Sequence, residues 1–273
     1  MARLITILCA LLGLLPGAAP AGERPAVRLA TTTSTENSGL LEYLLPAFER
    51  ATGYHVHVIA VGTGKALRMG RDGDVDVVLV HAPAAEAEFV AAGHGLRRHP
   101  VMHNDFLIVG PRDDPARVRG LTDAAEALRR IAAARAPFVS RGDDSGTHKK
   151  ERALWRAAGV QPGGRWYREA GQGMGRVLQM ASELDAYTLT DRGTWLALRD
   201  GLALQPLVAG DERLYNPYGI IAVNPARHPG VNLAGARALI HWLTGQDGQR
   251  RIAAYRLHGE PLFHPDALRV ATP

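Results

Sequence analysis

The chain has 273 residues, of which 46% are hydrophobic and 22% are charged, so it can bury a sizeable core in one or two domains. This balance excludes a disordered chain, a fibrous protein and a protein with several membrane spans. Thirty-two Lys and Arg residues against 27 Asp and Glu residues give a net charge of +5. The surplus is small and scattered, so it predicts no nucleic-acid-binding surface.

The N-terminal segment, residues 1–21, has the three parts of a secretory signal peptide. Arg3 supplies positive charge, an apolar run covers residues 4–15, and small residues stand at Ala19 and Ala21. The apolar run is shorter than the roughly 20 residues that cross a bilayer, so we expect cleavage after Ala21. A short buried helix is the alternative. Cleavage would leave a mature protein without cysteine in the periplasm.

Strand and helix patterns alternate along the rest of the chain. Short apolar or alternating runs predict strands at residues 26–30, 55–61, 75–80, 105–110, 137–140 and 220–223. Helical patterns cover residues 40–48, 66–69 and 82–92, and two further helices are predicted near the C-terminus. This alternation predicts an α/β fold, with mostly parallel sheets flanked by helices.

The length and the two successive α/β units predict two lobes with a cleft between them. We place lobe I at residues 22–104 and 215–273, and lobe II at residues 105–214. The chain would then cross between the lobes twice, near Asn104 and near Tyr215.

Three strand-to-helix junctions are rich in hydroxyl groups and glycine. Their sequences are TTTST at residues 31–35, GTG at residues 62–64 and RGDDSGT at residues 141–147. Helix N-termini expose unpaired N–H groups and carry about half a positive charge, so they attract anions, and Ser and Thr hydroxyls add donors. One such junction alone would be read as an ordinary N-cap. Three of them at the carboxyl ends of strands favour an anion-binding site.

Arg141 is the cation built into these junctions. Its planar guanidinium suits a dianion, and Asp143, two residues later, can hold it in place. The alternative is an exposed Arg–Asp pair without a binding role. A further glycine-rich sequence, GQGMG at residues 171–175, falls one residue short of a dinucleotide-binding fingerprint. We interpret it as the start of a helix whose amides reach the cleft.

The 11 histidines do not follow a metal-binding helix spacing, so we expect neither a metal ion nor another cofactor. His55 and His57 share one face of a strand, where exposure to solvent is favoured over a surface metal site. His148 beside Ser145 has the composition of a base and a nucleophile. The Gly-x-Ser-x-Gly elbow is absent, however, because Asp143 stands at its first glycine. We expect a non-enzymatic protein, with a secreted hydrolase of phosphorylated substrates as the alternative from another class.

Taken together, these motifs resemble the tungstate-binding (Tup-type) periplasmic receptors of ABC importers. The matching sequences are TTTST at residues 31–35, GTGKAL at 62–67, NDF at 104–106, SRGDDSGTH at 140–148 and AYTLTDRGT at 186–194. They span most of the chain after the predicted signal peptide. The resemblance implies a type II periplasmic-binding-protein fold with an oxyanion bound in the cleft between two lobes.

Carried over onto this sequence, the resemblance implies six ligand-binding residues: Thr33, Ser34 and Thr63 from lobe I, and Arg141, Ser145 and Thr147 from lobe II. It implies tungstate as the ligand and the membrane permease of an ABC importer as the partner. The Arg-x-Asp-x-Ser-Gly-Thr element also occurs in phosphate receptors, so phosphate, molybdate and sulfate remain alternative ligands. We expect the receptor to be a monomer.

Overall fold

The computed structural model describes residues 25–143 and 145–267, so the predicted signal peptide lies outside the described residues. The strands are β1 (Ala26–Thr32), β2 (His55–Val61), β3 (Val77–Val80), β4 (Gly95–Pro111), β5 (Phe138–Ser140), β6 (Tyr167–Glu169), β7 (Thr188–Asp191), β8 (Leu204–Val208), β9 (Tyr215–Val223), β10 (Arg256–Leu257), β11 (Glu260–Pro261) and β12 (His264–Pro265). The helices are α1 (Thr33–Asn37), α2 (Leu40–Thr52), α3 (Thr63–Asp72), α4 (Pro83–Ala91), α5 (Ala124–Ala134), α6 (Gly146–Ala157), α7 (Met174–Glu183), α8 (Arg192–Leu198), α9 (Leu233–Thr244) and α10 (Gln246–Ala254).

A mixed sheet with the strand order β12-β4-β9-β3-β1-β2 forms the centre of the fold. β1 is parallel to β2 and β3, whereas β9 is antiparallel to both β3 and β4. β4 continues beyond this sheet and pairs antiparallel with β7 and β8. The α/β class is confirmed, but the prediction of mostly parallel sheets is corrected. The chain leaves one group of strands along β4 and returns along β9, and two such segments side by side must run in opposite directions.

The length of β4 was underestimated from the sequence. Its apolar end, residues 105–110, was predicted, but the strand begins ten residues earlier, at Gly95. The first half carries Arg97, Arg98 and His99, which obscure the apolar pattern. Arg98 is accommodated because its Nε donates to the Glu86 carboxylate at 2.6 Å. This ion pair therefore stabilises a charged segment within the sheet, and no local sequence pattern predicts the pair.

The core consists of three hydrophobic clusters. One is built only from residues between Phe106 and Leu214, and another only from residues before Val90 or after Gly219. The largest cluster draws on both parts of the chain. β4 and β9 pass side by side through the predicted crossings, with Asn104 facing Asn216 across the ladder. The two-lobe division remains a proposal, to which the site below gives further support.

Glu151 is a carboxyl group buried inside the cluster between Phe106 and Leu214, with 1% of its surface exposed. Its Oε1 accepts hydrogen bonds from Trp155 Nε1 at 3.1 Å and from the Tyr167 hydroxyl at 2.8 Å. Burial, which disfavours the charged form, raises the pKa of Glu151 to about 7. Because this pKa is above that of an unfolded glutamate, the contribution of Glu151 to stability is complete at low pH and is lost as pH rises through about 7.

Glu151→Gln preserves the shape and the acceptor oxygen but cannot ionise. We expect the variant to equal the wild type in free energy of unfolding near pH 4 and to exceed it by on the order of 2 kcal/mol near pH 8.5. Denaturant titrations at the two pH values measure the difference. Glu88→Gln, on the exposed face of α4, is the matched control and should change little at either pH. A Glu151→Gln variant that is less stable at both pH values would contradict a neutral Glu151.

Candidate functional site

A cavity of 760 Å³ opens at the carboxyl ends of β1, β2, β3, β5 and β7. Most of the residues that line it come directly after strands or from the first turns of helices, and β4 and β9 contribute Asn104, Phe106, Asn216 and Tyr218. All six residues selected from the sequence line this cavity: Thr33, Ser34, Thr63, Arg141, Ser145 and Thr147. The structure therefore brings the three junctions together at one place, and the binding role of each residue remains a proposal.

Five helices begin at the wall of this cavity: α1, α3, α6, α7 and α8. Three of them are long, since α3, α6 and α7 have 10, 12 and 10 residues. The N-caps of α3 and α7 are Gly62 and Gly173, and among the described residues no side chain caps either helix. Their first N–H groups therefore keep their donors for a ligand. The start of α7 at Met174 confirms that the GQGMG sequence opens a helix, and Gly173, Met174 and Gly175 line the cavity.

The other three helices are capped by side chains. Thr32 Oγ1 accepts from Thr35 N at 3.3 Å, and Ser145 Oγ accepts from His148 N at 3.3 Å. Capping uses a lone pair of the hydroxyl oxygen and leaves its proton available. Capping a helix and binding a ligand are therefore not mutually exclusive roles. Ser145 can cap α6 and donate to a bound anion at the same time.

Arg141 reaches the cavity in a mostly buried position. Its side chain is 19% exposed and forms an ion pair with Asp143, which is 23% exposed. Burial alone would raise the pKa of Asp143, but hydrogen bonds from Ser145 and the charge of Arg141 lower it, so the carboxylate stays ionised. Arg141 Nε is buried and has no hydrogen-bond partner within residues 25–143 and 145–267. The guanidinium is thus held on one side and has an unused donor.

His81 also lines the cavity and was missed by the sequence analysis. It follows β3, and its Nδ1 lies 2.9 Å from Asn216 Oδ1. Its Nε2 lies 3.2 Å from Thr32 Oγ1 and 3.4 Å from Ser34 Oγ. A signal was available, because β3 is the third parallel strand ending at this edge and the residue after it must lie beside the two neighbouring junctions.

Two polar contacts tie the crossing strands to the cavity. Asn216 on β9 donates through Nδ2 to Asn104 Oδ1 on β4 at 2.8 Å, and both side chains are buried. The next residue of β4, Asp105, receives two hydrogen bonds of 2.5 Å from Arg192, the first residue of α8. The crossing between the two groups of strands is therefore connected to the wall of the cavity.

Asp191 is the acidic side chain of the cavity wall in the part of the chain that the structure describes. As the N-cap of α8, its Oδ1 accepts from Thr194 N at 2.8 Å and its Oδ2 from Thr194 Oγ1 at 2.7 Å. Both oxygens are therefore engaged within the protein. The wall offers many N–H and O–H donors and few acceptors, which suits a ligand made of acceptor oxygens only.

The geometry of a Ser–His nucleophile is not formed. Ser145 contacts His148 through the backbone N–H of the histidine, while the imidazole Nε2 lies 3.8 Å from Glu169 Oε1.

His55 and His57 are both exposed, with ring centroids 4.8 Å apart. Among the described residues, no group of three or more His, Cys, Asp or Glu side chains could hold a metal ion. None of the described helices has the length and apolar character to cross a membrane.

Comparison with known proteins identifies relatives that agree with one another on the family. The model of the PBP superfamily domain matches residues 19–247. The tungstate-binding protein TupA of Peptoclostridium acidaminophilum is 48% identical over 286 residues, covering 98% of this chain and all of that protein. These relatives are binding proteins, which confirms the expectation of a non-enzymatic protein.

Solved structures agree with this result. The tungstate-binding protein TupA from Desulfovibrio alaskensis G20 is 48% identical and superposes with a TM-score of 0.84, covering 89% of this chain and 99% of that chain. The tungstate ABC transporter protein from Geobacter sulfurreducens is 54% identical with a TM-score of 0.75, covering 84% of this chain and 98% of that chain. The chain therefore belongs to the PBP superfamily and, within it, to the Tup-type solute-binding proteins of ABC transporters.

Proposed function

We propose that this protein is an extracytoplasmic receptor that binds the tungstate oxyanion and delivers it to the membrane permease of an ABC importer. One observation carries the proposal: the starts of five helices and the Arg141 guanidinium meet at one cavity of 760 Å³. Partial positive charges from helix N-termini favour an anion without requiring several cationic side chains. The names of the relatives, which are tungstate-binding proteins, support tungstate as the oxyanion.

In this proposal the ligand is shared between two lobes. Thr33, Ser34 and Thr63 donate from lobe I, residues 22–104 and 215–273. Arg141, Ser145 and Thr147 donate from lobe II, residues 105–214. All six line the cavity, and Asn104 and Asn216 hold the two crossing strands together beneath it. A ligand with contacts to both lobes favours the closed arrangement through the contacts that only this arrangement permits.

The donor-rich wall favours tungstate over phosphate. Near neutral pH, phosphate keeps at least one proton and gains from a carboxylate that accepts it, whereas tungstate and molybdate are unprotonated dianions. Asp191 has both oxygens occupied by Thr194, and Asp143 is paired with Arg141. A protonated ligand would therefore bring a donor to a site whose described carboxylates are already engaged.

The remaining parts of the proposal concern location and partner. Residues 1–21 act as the signal peptide and direct the mature receptor to the periplasm. The mature receptor is a monomer. Transport is inward, towards the cytoplasm, through the permease of the importer. The relative from Geobacter sulfurreducens, whose structure bears the name of a tungstate ABC transporter, supports an ABC transporter as the partner.

Isothermal titration of the mature protein with four oxyanions tests the function. We expect tungstate to bind most tightly with molybdate close to it, and phosphate and sulfate to bind at least about 100-fold more weakly. Tungstate should also raise the melting temperature, with a shift that grows with the logarithm of its concentration. Phosphate binding as tight as that of tungstate would assign the receptor to phosphate. A melting temperature unchanged by millimolar tungstate would remove tungstate as the ligand.

Arg141→Ala tests the contribution of the guanidinium. A charge-assisted hydrogen bond contributes about 1.5–3 kcal/mol, so we expect tungstate affinity to fall about ten- to a hundredfold. Arg141→Lys keeps the charge but loses the planar fork and should give an intermediate affinity. Arg156→Ala is the matched control, because Arg156 lies on the exposed side of α6. Unchanged binding by a folded Arg141→Ala variant would make Arg141 a structural residue only.

A further inference from the structure

His81 occupies a position in which its protonation decides how many donors the cavity offers. Asn216 uses its Nδ2 to donate to Asn104, so the atom of Asn216 that faces His81 is the acceptor Oδ1, at 2.9 Å from Nδ1. Only a protonated Nδ1 can face that oxygen. In a neutral ring the other nitrogen, Nε2, is then without a proton and can only accept a hydrogen bond.

The groups that Nε2 faces are hydroxyls of the first anion-binding junction. Thr32 Oγ1 lies 3.2 Å away, and Ser34 Oγ, which is exposed to the cavity, lies 3.4 Å away. Thr32 Oγ1 is also 2.6 Å from Thr35 Oγ1 and accepts from Thr35 N. A bare Nε2 accepts a hydrogen bond from one of these hydroxyls, and that hydroxyl then cannot donate to a ligand. A protonated Nε2 donates instead, and the hydroxyl protons can turn towards a ligand.

We propose that binding of the oxyanion is coupled to protonation of His81, so that the imidazolium donates to the hydroxyls of Thr32 and Ser34 and leaves their protons available to the ligand. The proton comes from solvent and forms one new N–H bond at Nε2; no other covalent bond changes. This inference rests on the proposed function, because it concerns the same cavity and the same ligand class. It assigns His81 as a positioning residue that acts through Ser34 and Thr32.

The charges around His81 fit this coupling. Burial has the largest effect and lowers the pKa of His81, and the charge of Lys150 on α6 also lowers it, whereas the hydrogen bond with Asn216 and the charge of Asp191 act in the opposite direction without overcoming burial. The N-terminus of α6 also disfavours an imidazolium, since a Cβ added to Gly146 would lie only 3.7 Å from His81 Cε1. The neutral ring of Tyr218 covers another side, with its centroid 4.8 Å away. The ligand-free site therefore holds a neutral His81 near pH 7.

A bound dianion reverses this balance, because its charge favours the imidazolium. Between the pKa of His81 in the free protein and its higher pKa in the complex, binding takes up a proton. In that interval the dissociation constant decreases as pH falls, by up to about tenfold per pH unit.

The test is titration calorimetry with low-micromolar tungstate at several pH values between about 6 and 8.5, in pairs of buffers that differ in ionisation enthalpy. The wild type should take up as much as about one proton per tungstate bound and should bind more tightly at the lower pH. His81→Asn keeps an N–H for Asn216 but does not titrate, so its proton uptake should vanish and its affinity should not depend on pH.

Two control variants identify the source of the proton uptake. His57→Asn changes an exposed histidine on β2 and should retain the uptake of the wild type. Glu151→Gln removes a buried carboxyl group whose pKa, raised by burial to about 7, lies in the same pH range, and it should also retain the uptake. Should His81→Asn fail to fold, the imidazole ¹⁵N resonances of the wild type give the same answer, because Nε2 of one histidine should move to the protonated position on addition of tungstate.

The outcomes separate this inference from the proposed function. Tungstate binding without proton uptake, or with equal uptake in His81→Asn, overturns the role of His81 and leaves the receptor function intact. Absence of tungstate binding at every pH overturns the receptor function itself.

Discussion

The site depends on one constraint, which is that helix N-termini have N–H groups that the helix cannot satisfy. In this fold five helices start at the same edge, because the strands that precede them end there. Two of the long helices, α3 and α7, begin at glycine without a side-chain cap among the described residues, so their first amides remain available. The cavity is therefore positively polarised by the backbone, and Arg141 adds the one guanidinium among the described residues of its wall.

Under the proposed function, this arrangement accounts for the binding of a dianion by a protein with a net charge of only +5. Apart from Arg141 and Lys149, most donors of the described wall are neutral amides and hydroxyls, which attract anions in general less strongly than a cluster of lysines would. They discriminate by the number of acceptor oxygens that a ligand presents, and a protonated ligand presents fewer. Asp191 and Asp143 are consistent with this selection, because each is already engaged by donors of the protein.

The polar contacts beneath the cavity connect ligand binding to the crossing strands. His81 contacts the hydroxyls of Thr32 and Ser34 on one side and Asn216 on the other, and Asn216 contacts Asn104 on the neighbouring strand. A continuous series of hydrogen bonds therefore joins the proposed ligand site to both strands that cross between the proposed lobes. Arg192 links Asp105, the next residue of β4, to the helix start that carries Asp191.

Much of the site was predictable from sequence because its donors are local features of strand-to-helix junctions. TTTST, GTG and RGDDSGT each predict a helix start, and the structure places helix starts at all three. The place of His81 at this edge could have been inferred from the end of β3, but its contact with Asn216, 135 residues later in the chain, could not. The first half of β4 was not predicted for a similar reason. Arg98 is accommodated in the sheet because it forms an ion pair with Glu86. Local chemistry identified the donors, whereas long-range pairs determined how they are held.

A crystal structure of the tungstate complex, with diffraction data collected at a tungsten absorption edge, tests the central claim most directly. The account predicts one strong anomalous peak in the cavity, with oxyanion oxygens within hydrogen-bonding distance of the first amides of α3 and α7 and of the Arg141 guanidinium. A tungsten peak outside the cavity, or one inside it that contacts neither these amides nor Arg141, would contradict the account.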